Sequence, residues 1–359
     1  MAAIKNLNMD YELFLVQEQE EFINFINWTS GNDDIDKLIQ ECQIKAYVPY
    51  KIIEWVPYDN LKHIKYLTRG GFSEIYTASW IDGGYEEWDP KEQRLLRFGY
   101  MHVVLKSWKC KSKLAKSHLT ISNKLEDIVS CYGLTKDPSN GNYMLVIRKM
   151  NFDLRKYLQR NHKKPTWKER IRIIYEISNS LYFIHGENAI HKDLHSGNIL
   201  YSQIDGTWVI GDLGFCGPAD KSSKSIYGNL PYIAPEVIAG KGYTRDAKSS
   251  VITGYNRFLP VRFRFGFSPR PTVLSVGFAV GSVLVENRGF KTETEPNRPL
   301  ASLGYTDKSD IYSVAMLMWE ISSGQPPFIN CEHNYELAYN IIDGIRPKII
   351  SETPLEYKV

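Results

Sequence analysis

Four polar side chains at fixed spacings could together bind and transfer a phosphate group. Asp193 is followed by Asn198 and, after an Ile-Gly pair, by Asp212. Carboxylate and amide oxygens are the hard ligands that Mg²⁺ prefers, and a further carboxylate can accept a proton from an attacking hydroxyl. Lys106 ends a Val-Val-Leu-Lys run and offers a point charge for phosphate oxygens. Because phosphoryl transfer asks a protein mainly for positioning and charge stabilisation, this set indicates that chemistry.

The sequence around these four residues forms motifs in a fixed order. Gly70 and Gly71 precede the lysine and would let backbone N–H groups approach phosphates closely. The first carboxylate and the amide belong to His-Lys-Asp-Leu-His-Ser-Gly-Asn at 191–198, and Gly-Asn-Leu-Pro-Tyr-Ile-Ala-Pro-Glu follows at 228–236. Any one of these alone is typical of an ordinary turn. Together, in one order, they favour a single site.

This ordered set resembles the motifs of protein kinases. Residues 191–198 resemble the catalytic loop, with Lys192 in place of arginine, and Asp-Leu-Gly at 212–214 resembles Asp-Phe-Gly. Ala-Pro-Glu at 234–236 resembles the end of an activation segment. The resemblance is closest to the tyrosine-kinase-like group, whose genes are numerous in arbuscular mycorrhizal fungi, and it covers residues 66–243 and 307–357.

The resemblance implies an ATP- and Mg²⁺-dependent protein kinase, with a role for each site residue. Asp193 would be the base, Lys106 the phosphate anchor, and Asn198 with Asp212 the metal ligands. The substrate would be a protein hydroxyl, expected to be Ser or Thr, in intracellular signalling. The residues expected around the nucleotide are Arg69, Gly70, Gly71, Ser73, Ile75, Val104, Lys106, Met150 and Leu200.

Hydrophobic patterns predict two lobes that would position these residues. Short apolar runs at 63–68, 74–80, 102–106 and 143–150 predict a small antiparallel sheet. Within 153–185, four apolar residues spaced by 3, 4 and 3 predict a buried helix face: Ile174, Ile177, Leu181 and Ile184. We therefore expect an α+β, two-lobed protein kinase-like fold over 61–359, with a β N-lobe at 61–150 and a helical C-lobe at 151–359.

Residues 1–60 are predicted to be a helical N-terminal arm. Ile35, Leu38, Ile39 and Cys42 lie at helical spacing, and Asn32 or Asp33 could open the helix. The favoured interpretation is a helix that covers the next domain; the alternative is a partner-binding arm.

One departure from the kinase pattern affects the lysine. Active kinases pair it with a glutamate on the next helix, but residues 107–119 contain no acid, and Leu114 is placed at the glutamate's position. Glu126 is the nearest downstream acid and is expected to lie beyond that helix. This departure supports an alternative function, a pseudokinase or nucleotide-binding scaffold with little or no catalysis.

A second departure is an apparent insertion in the C-lobe. Gly-Tyr-Thr at 242–244 recurs at 304–306, 62 residues later, and residues 247–285 contain no acid. We expect 245–303 to be a disordered loop, since loop-closure entropy grows only slowly with length. Its alternating basic and aromatic residues leave nucleic-acid binding as a less favoured alternative. Asp310, just beyond it, resembles the aspartate that braces the catalytic loop.

The end of the chain is the third departure. The sequence ends at Val359, before the residues that would form the last two helices expected of a kinase. Glu236 is therefore expected to lack the arginine that usually pairs with it. Losing one partner of such a buried pair costs about 3 to 5 kcal/mol.

The acceptor and its regulation are only partly indicated. Tyr232, and the absence of a tryptophan before Ala234, resemble serine/threonine enzymes, but His195 replaces their usual lysine and Asn229 their threonine. An upstream kinase could act on the activation segment, although the candidates are equally consistent with plain loop residues: Ser222, Ser223, Ser225 and Tyr227.

The composition of the chain excludes some classes of protein. Hydrophobic residues at 43% and charged residues at 24% exclude a wholly disordered chain, and a net charge of +3 gives no nucleic-acid signature. Five cysteines without a C-x-x-C pair, and no secretory leader, favour a reducing, cytoplasmic location. The most apolar window, 272–285, is below the roughly 18 residues of a membrane span. The oligomeric state stays open.

Overall fold

A six-stranded sheet organises the first half of the chain. The computed structural model describes residues 28–69, 73–108, 112–161, 164–217, 228–240 and 305–348. The sheet order is β1-β7-β8-β6-β3-β2, and β4 and β5 form a separate hairpin. The strands are β1 (Glu54–Trp55), β2 (Leu61–Arg69), β3 (Glu74–Trp80), β4 (Tyr85–Asp89), β5 (Arg94–Arg97), β6 (Met101–Trp108), β7 (Cys131–Lys136) and β8 (Tyr143–Arg148).

Alternation along β6 separates the core from the functional face. Val103 and Leu105 are fully buried in one cluster with residues of β3 and β8. Successive side chains of a strand point to opposite faces, so Val104 and Lys106 face the other way. Ile75 on β3 lies directly opposite Lys106 in the ladder.

The segment before residue 60 adds a helix and a strand to this sheet. Helix α1 (Asp33–Ile44) is capped by Asn32, whose side chain accepts from two backbone N–H groups, as the sequence predicts. Its four predicted apolar residues are buried and pack in one cluster with Leu119, Leu134 and Leu145. Strand β1 pairs with β7 in parallel, against the expectation of a purely antiparallel sheet.

A close backbone approach fixes this parallel pairing. A Cβ atom on Gly133 would stand 1.9 Å from the Glu54 carbonyl oxygen, and Gly133 has φ +156°. Only glycine allows β7 to lie this close to β1.

Helix α2 (Ser112–Lys124) crosses behind the sheet, and its C-terminus is held by the N-terminal segment. The buried Lys51 ammonium donates to the carbonyl oxygens of Ser122 (3.1 Å) and Leu125 (2.8 Å). The last carbonyls of a helix have no intrahelical partner, so a buried cation there stabilises the helix end. Glu126 lies beyond α2, as expected, and accepts from the Tyr50 hydroxyl at 3.2 Å.

The second lobe is helical. Five helices are described: α3 (Leu154–Asn161), α4 (Trp167–Gly186), α5 (Pro235–Ala239), α6 (Asp307–Ser323) and α7 (Tyr335–Ile342). Three short strands form a small sheet beside them: β9 (Phe152–Asp153), β10 (Ile199–Ser202) and β11 (Thr207–Ile210). Ile177, Ile184 and Leu317 are fully buried where α4 and α6 pack.

The two-lobed α+β architecture is confirmed, with differences in detail. The predicted helical stretch is two helices, because Pro165 cannot continue a helix and Thr166 opens α4 with a capping box to Glu169. Ile174 is only partly buried. The predicted insertion at 245–303 lies outside the described residues. Among the helices that the structure describes, none is long and apolar enough to cross a membrane.

Candidate active site

A lysine and an aspartate from the two lobes meet in an ion pair. The Lys106 ammonium on β6 contacts Asp212 Oδ1, and that same oxygen accepts from the Gly214 backbone N–H at 3.2 Å. Burial alone would raise the pKa of Asp212, but the Lys106 ammonium outweighs it and holds that pKa below its ordinary value. Asp212 has φ +54°, a strained conformation for a non-glycine residue. The carboxylate is therefore ionised and fixed in direction.

Backbone contacts bring the other two predicted site residues to this ion pair. The Asn198 side-chain amide donates to the Asp193 carbonyl oxygen at 2.8 Å, and the Asn198 carbonyl accepts from the Gly211 N–H at 2.8 Å. Gly211 immediately precedes Asp212, and the Gly211 carbonyl oxygen lies 2.9 Å from His191 Nε2. The catalytic-loop segment and the segment of Asp212 thus form one hydrogen-bonded unit.

Asp310 braces this unit from below, as the sequence predicts. It is 1% exposed at the start of α6, and its carboxylate accepts from the backbone N–H groups of His191 (2.8 Å) and Lys192 (3.0 Å). His185 Nε2 lies 2.9 Å from the same carboxylate. Lys192 has φ +69°, a strained conformation for a residue other than glycine. The two charge-assisted hydrogen bonds to Asp310 hold the backbone in this conformation.

The Asp193 carboxylate has an environment suited to proton transfer. Burial, and then the negative charge of Asp212, raise its pKa to about 6, against the lowering effect of His191 and of the Asn229 backbone N–H. A Cβ on Gly228 would lie 3.2 Å from Asp193 Oδ1. A base whose pKa lies near the working pH is efficient in general base catalysis.

His195 presents a donor toward this base. Its Nδ1 accepts from the Gly197 N–H at 3.0 Å, so in the neutral ring the proton is on Nε2. Nε2 lies 3.7 Å from Asp193 Oδ1. The imidazole therefore carries an N–H near the Asp193 carboxylate, at a distance too long for a hydrogen bond.

A buried polar network connects the catalytic loop with the segment before Ala-Pro-Glu. Glu320 on α6 is 1% exposed and accepts from the Ser196 hydroxyl (2.7 Å) and the Tyr232 hydroxyl (2.5 Å). Among the described residues, Glu236 Oε2 is buried and has no hydrogen-bond partner.

The described residues among those predicted around the nucleotide come from both lobes. Leu200 on β10 lies against Gly211, since a Cβ there would meet Leu200 Cδ1 at 2.8 Å. Gly70 and Gly71 lie outside the described residues. Arg69 ends β2, Ser73 immediately precedes β3, Ile75 lies in β3, Val104 lies in β6, and Met150 follows β8.

A histidine that no motif pointed to lies beside the ion pair. His118 Nε2 on α2 is 3.9 Å from Asp212 Oδ1, and the side chain is buried. Leu114, which the sequence assigned to the glutamate's position, lies one helical turn earlier. The sequence did not point to His118, because a single histidine in a stretch without acidic residues is usually an ordinary core residue.

The donor set fits magnesium. Asp212 supplies an ionised carboxylate, and Asn198 uses its amide N–H₂ on the Asp193 carbonyl, so its side-chain oxygen is the atom left to bind a cation. Mg²⁺ in such sites takes one or two protein oxygens and completes its shell with phosphate and water.

Comparisons with known proteins agree with this geometry. Residues 104–249 match the family model of the protein kinase domain. A probable serine/threonine-protein kinase of Dictyostelium discoideum is 30% identical over 231 residues, 60% of this chain and 23% of its own length. A dual serine/threonine and tyrosine protein kinase of Pimephales promelas is 31% identical over 123 residues, 33% of this chain and 13% of its own length.

The fold and the site define a class. The chain has a two-lobed, protein kinase-like α+β fold, with a β-sheet lobe that carries the lysine and a helical lobe that carries the carboxylates. It spans less than a quarter of the length of the two relatives named.

Proposed function

We propose that this protein transfers the γ-phosphoryl group of ATP to a hydroxyl group of a protein substrate. The observation that carries the proposal is the convergence of Lys106, Asp212, Asn198 and Asp193 from both lobes on one place. The relatives named as serine/threonine kinases support catalysis over the scaffold alternative.

Each residue has a distinct task in this reaction. Lys106 binds phosphate oxygens and neutralises part of their charge, and Asp193 accepts the proton of the attacking hydroxyl. Asn198 and Asp212 would hold Mg²⁺, which would stabilise the negative charge of the phosphates when bound. Asp310 keeps the loop of Asp193 in place through the backbone of His191 and Lys192.

A serine or threonine acceptor, and membership of the tyrosine-kinase-like group, are the finer part of this proposal. Tyr232 supports it as a residue typical of serine/threonine enzymes at this position, and its buried hydroxyl donates to Glu320 next to the catalytic loop. Cys131, Cys216 and Cys331 are free thiols, which supports the proposed reducing, cytoplasmic location. An upstream kinase acting on the activation segment is likewise a proposal.

The test is phosphate incorporation from labelled ATP into a mixture of Ser-, Thr- and Tyr-containing peptides. The intact chain should label Ser or Thr peptides, and Asp193→Asn should reduce the rate by a factor of about 100 or more. Asp59→Asn, the same change at an exposed position, is the control and should have no effect. Equal rates for the intact chain and Asp193→Asn would refute the catalytic role.

A further inference from the structure

His118 is a buried imidazole whose outer nitrogen lacks a partner. The residue is 5% exposed, and among the described residues no group hydrogen-bonds to its Nε2. Nε2 lies 3.9 Å from Asp212 Oδ1, the oxygen that also holds the Lys106 ammonium. This distance is too long for a hydrogen bond. An unsatisfied buried nitrogen costs free energy, so a partner is to be expected in another state of the site.

The charge state of the imidazole decides whether its partner is a hydrogen-bond donor or an acceptor. His118 Nε2 and the Lys106 ammonium both face Asp212 Oδ1 in a buried place, so a positive charge on the imidazole would lie beside that of the lysine and is disfavoured. A neutral imidazole has one nitrogen that can accept a hydrogen bond. The neighbouring group rich in donors is the Lys106 ammonium, which carries three N–H bonds and no acceptor.

Nucleotide binding would change the partners of that ammonium. In the structure, Lys106 is held by Asp212, the carboxylate that we assign to the metal. A carboxylate that binds a cation loses much of its attraction for a second one, because the two cations repel each other. Lys106 then turns to phosphate oxygens and needs a protein group to hold its direction.

We propose that His118 positions Lys106 in the nucleotide complex, with its Nε2 accepting one hydrogen bond from the ammonium. This inference rests on the proposed function and assigns to a neutral side chain on α2 the task that the missing glutamate would have. Because His118 carries no negative charge, it would orient the lysine without neutralising the charge offered to the phosphates. His118 is a positioning residue, since it contacts neither nucleotide nor substrate.

Three substitutions separate positioning from simple space filling. His118→Gln keeps a neutral acceptor, His118→Glu supplies a charged one, and His118→Leu fills the space without one. Loss of a hydrogen bond to a charged group predicts that His118→Leu lowers kcat by roughly 10-fold or more. We expect kcat within about 3-fold of the intact chain for His118→Gln and His118→Glu, and an unchanged KM for the peptide in all three. The control is His102→Gln, at an exposed position of β6.

A readout that does not depend on turnover is the ¹⁵N resonance of His118 Nε2. In protein labelled with ¹⁵N-histidine, we expect an unprotonated Nε2 that shifts when the non-hydrolysable analogue AMP-PNP and Mg²⁺ are added. The shift should be absent in Lys106→Met at an AMP-PNP concentration that still saturates the site, checked by thermal unfolding.

The outcomes are distinguishable. If the intact chain transfers phosphate, but His118→Leu matches it and the resonance does not respond to AMP-PNP, this inference is wrong and the proposed function stands. A shift that persists in Lys106→Met also overturns the inference, because the partner is then another group. If the intact chain neither binds AMP-PNP nor transfers phosphate, both proposals fail.

Discussion

As the proposed general base, Asp193 would need to be ionised, whereas its surroundings shift its pKa toward the protonated form. Burial and the nearby Asp212 charge raise its pKa to about 6, while Asp212, held by Lys106, has a pKa below its ordinary value. Two carboxylates in one site thus differ in protonation behaviour because only one has a cation in contact. This separation fits a base beside a metal ligand.

The pH dependence of the reaction should show this base. Because the ionised form accepts the proton, we expect kcat/KM to rise with pH and to level off above about pH 6. The measurement is a series of initial rates between pH 5 and pH 8, with ATP affinity followed over the same range as the control. A rate that is flat down to pH 5 while ATP affinity is unchanged would exclude Asp193 as the titrating base.

The same raised pKa has a consequence for stability. The pKa of Asp193 in the folded protein is above the ordinary aspartate value of 3.8. Its contribution to stability is therefore fully present below pH 3.8 and is lost as the pH rises through about 6. Asp193→Asn removes the buried charge and should raise the free energy of unfolding at pH 7.5 by about 1 to 3 kcal/mol.

Chemical denaturation at two pH values measures this effect. The gain of Asp193→Asn over the unsubstituted chain should be smaller at pH 5 than at pH 7.5, since the native carboxyl is largely protonated at pH 5. A gain of the same size at both pH values would mean that the asparagine stabilises the loop by other contacts.

At the scale of elements, helix α2 is held from three sides. Lys51 binds its C-terminal carbonyls, Leu119 packs against α1, and the Ser117 hydroxyl donates to the Cys216 carbonyl at 2.7 Å, next to the segment of Asp212. The N-terminal segment therefore acts on the helix that carries His118. Whether the domain begins at residue 61 stays a prediction, although α1 and β1 already belong to the N-lobe sheet and its core.

Lys51→Met tests this link. Methionine fills a similar volume but leaves the carbonyls of Ser122 and Leu125 without their buried donor, which should cost about 1 to 3 kcal/mol of stability. We expect a lower midpoint of thermal unfolding and a lower kcat, because α2 loses its fixed position. Lys62→Met, at an exposed position of β2, is the matched control.

Unchanged stability of Lys51→Met would show that water replaces the lysine at the helix end. A loss of stability with full activity would separate the fold of the N-terminal segment from the position of α2.

The elements also show what the sequence could predict. The motifs fixed the order of the site residues, and the period of the apolar residues predicted α1 and the strands that carry Lys106 and Ile75. Strand β1 was missed because two residues give no period. The β4–β5 hairpin was missed because charged residues dominate it, and it is tied down by a salt bridge from Arg97 to Glu54, which is remote in sequence. His118 was not identified from the sequence, because helix α2 has no acidic residue that could be aligned with the glutamate of other kinases.

At the scale of the whole molecule, the site exists only where the lobes meet. Lys106 comes from the N-lobe sheet, Asp212 and Asn198 come from the segments around β10 and β11, and the lobes also touch through the Val129 N–H and the Ile210 carbonyl at 3.0 Å. A ligand bound by both lobes therefore stabilises the complete fold rather than one half.

Thermal unfolding with ATP and Mg²⁺ tests this prediction. A ligand at 100 times its Kd stabilises the folded state by about 2.7 kcal/mol, which for a chain of this size corresponds to a rise of several degrees in Tm. EDTA should remove a large part of this rise, because Asn198 and Asp212 then have no cation that links them to the phosphates. Lys106→Met should reduce the rise both with and without EDTA, since the lysine binds phosphate directly. The same rise with and without EDTA would show that Asn198 and Asp212 do not bind the nucleotide through a metal, and an equal rise in Lys106→Met would place the nucleotide away from the ion pair.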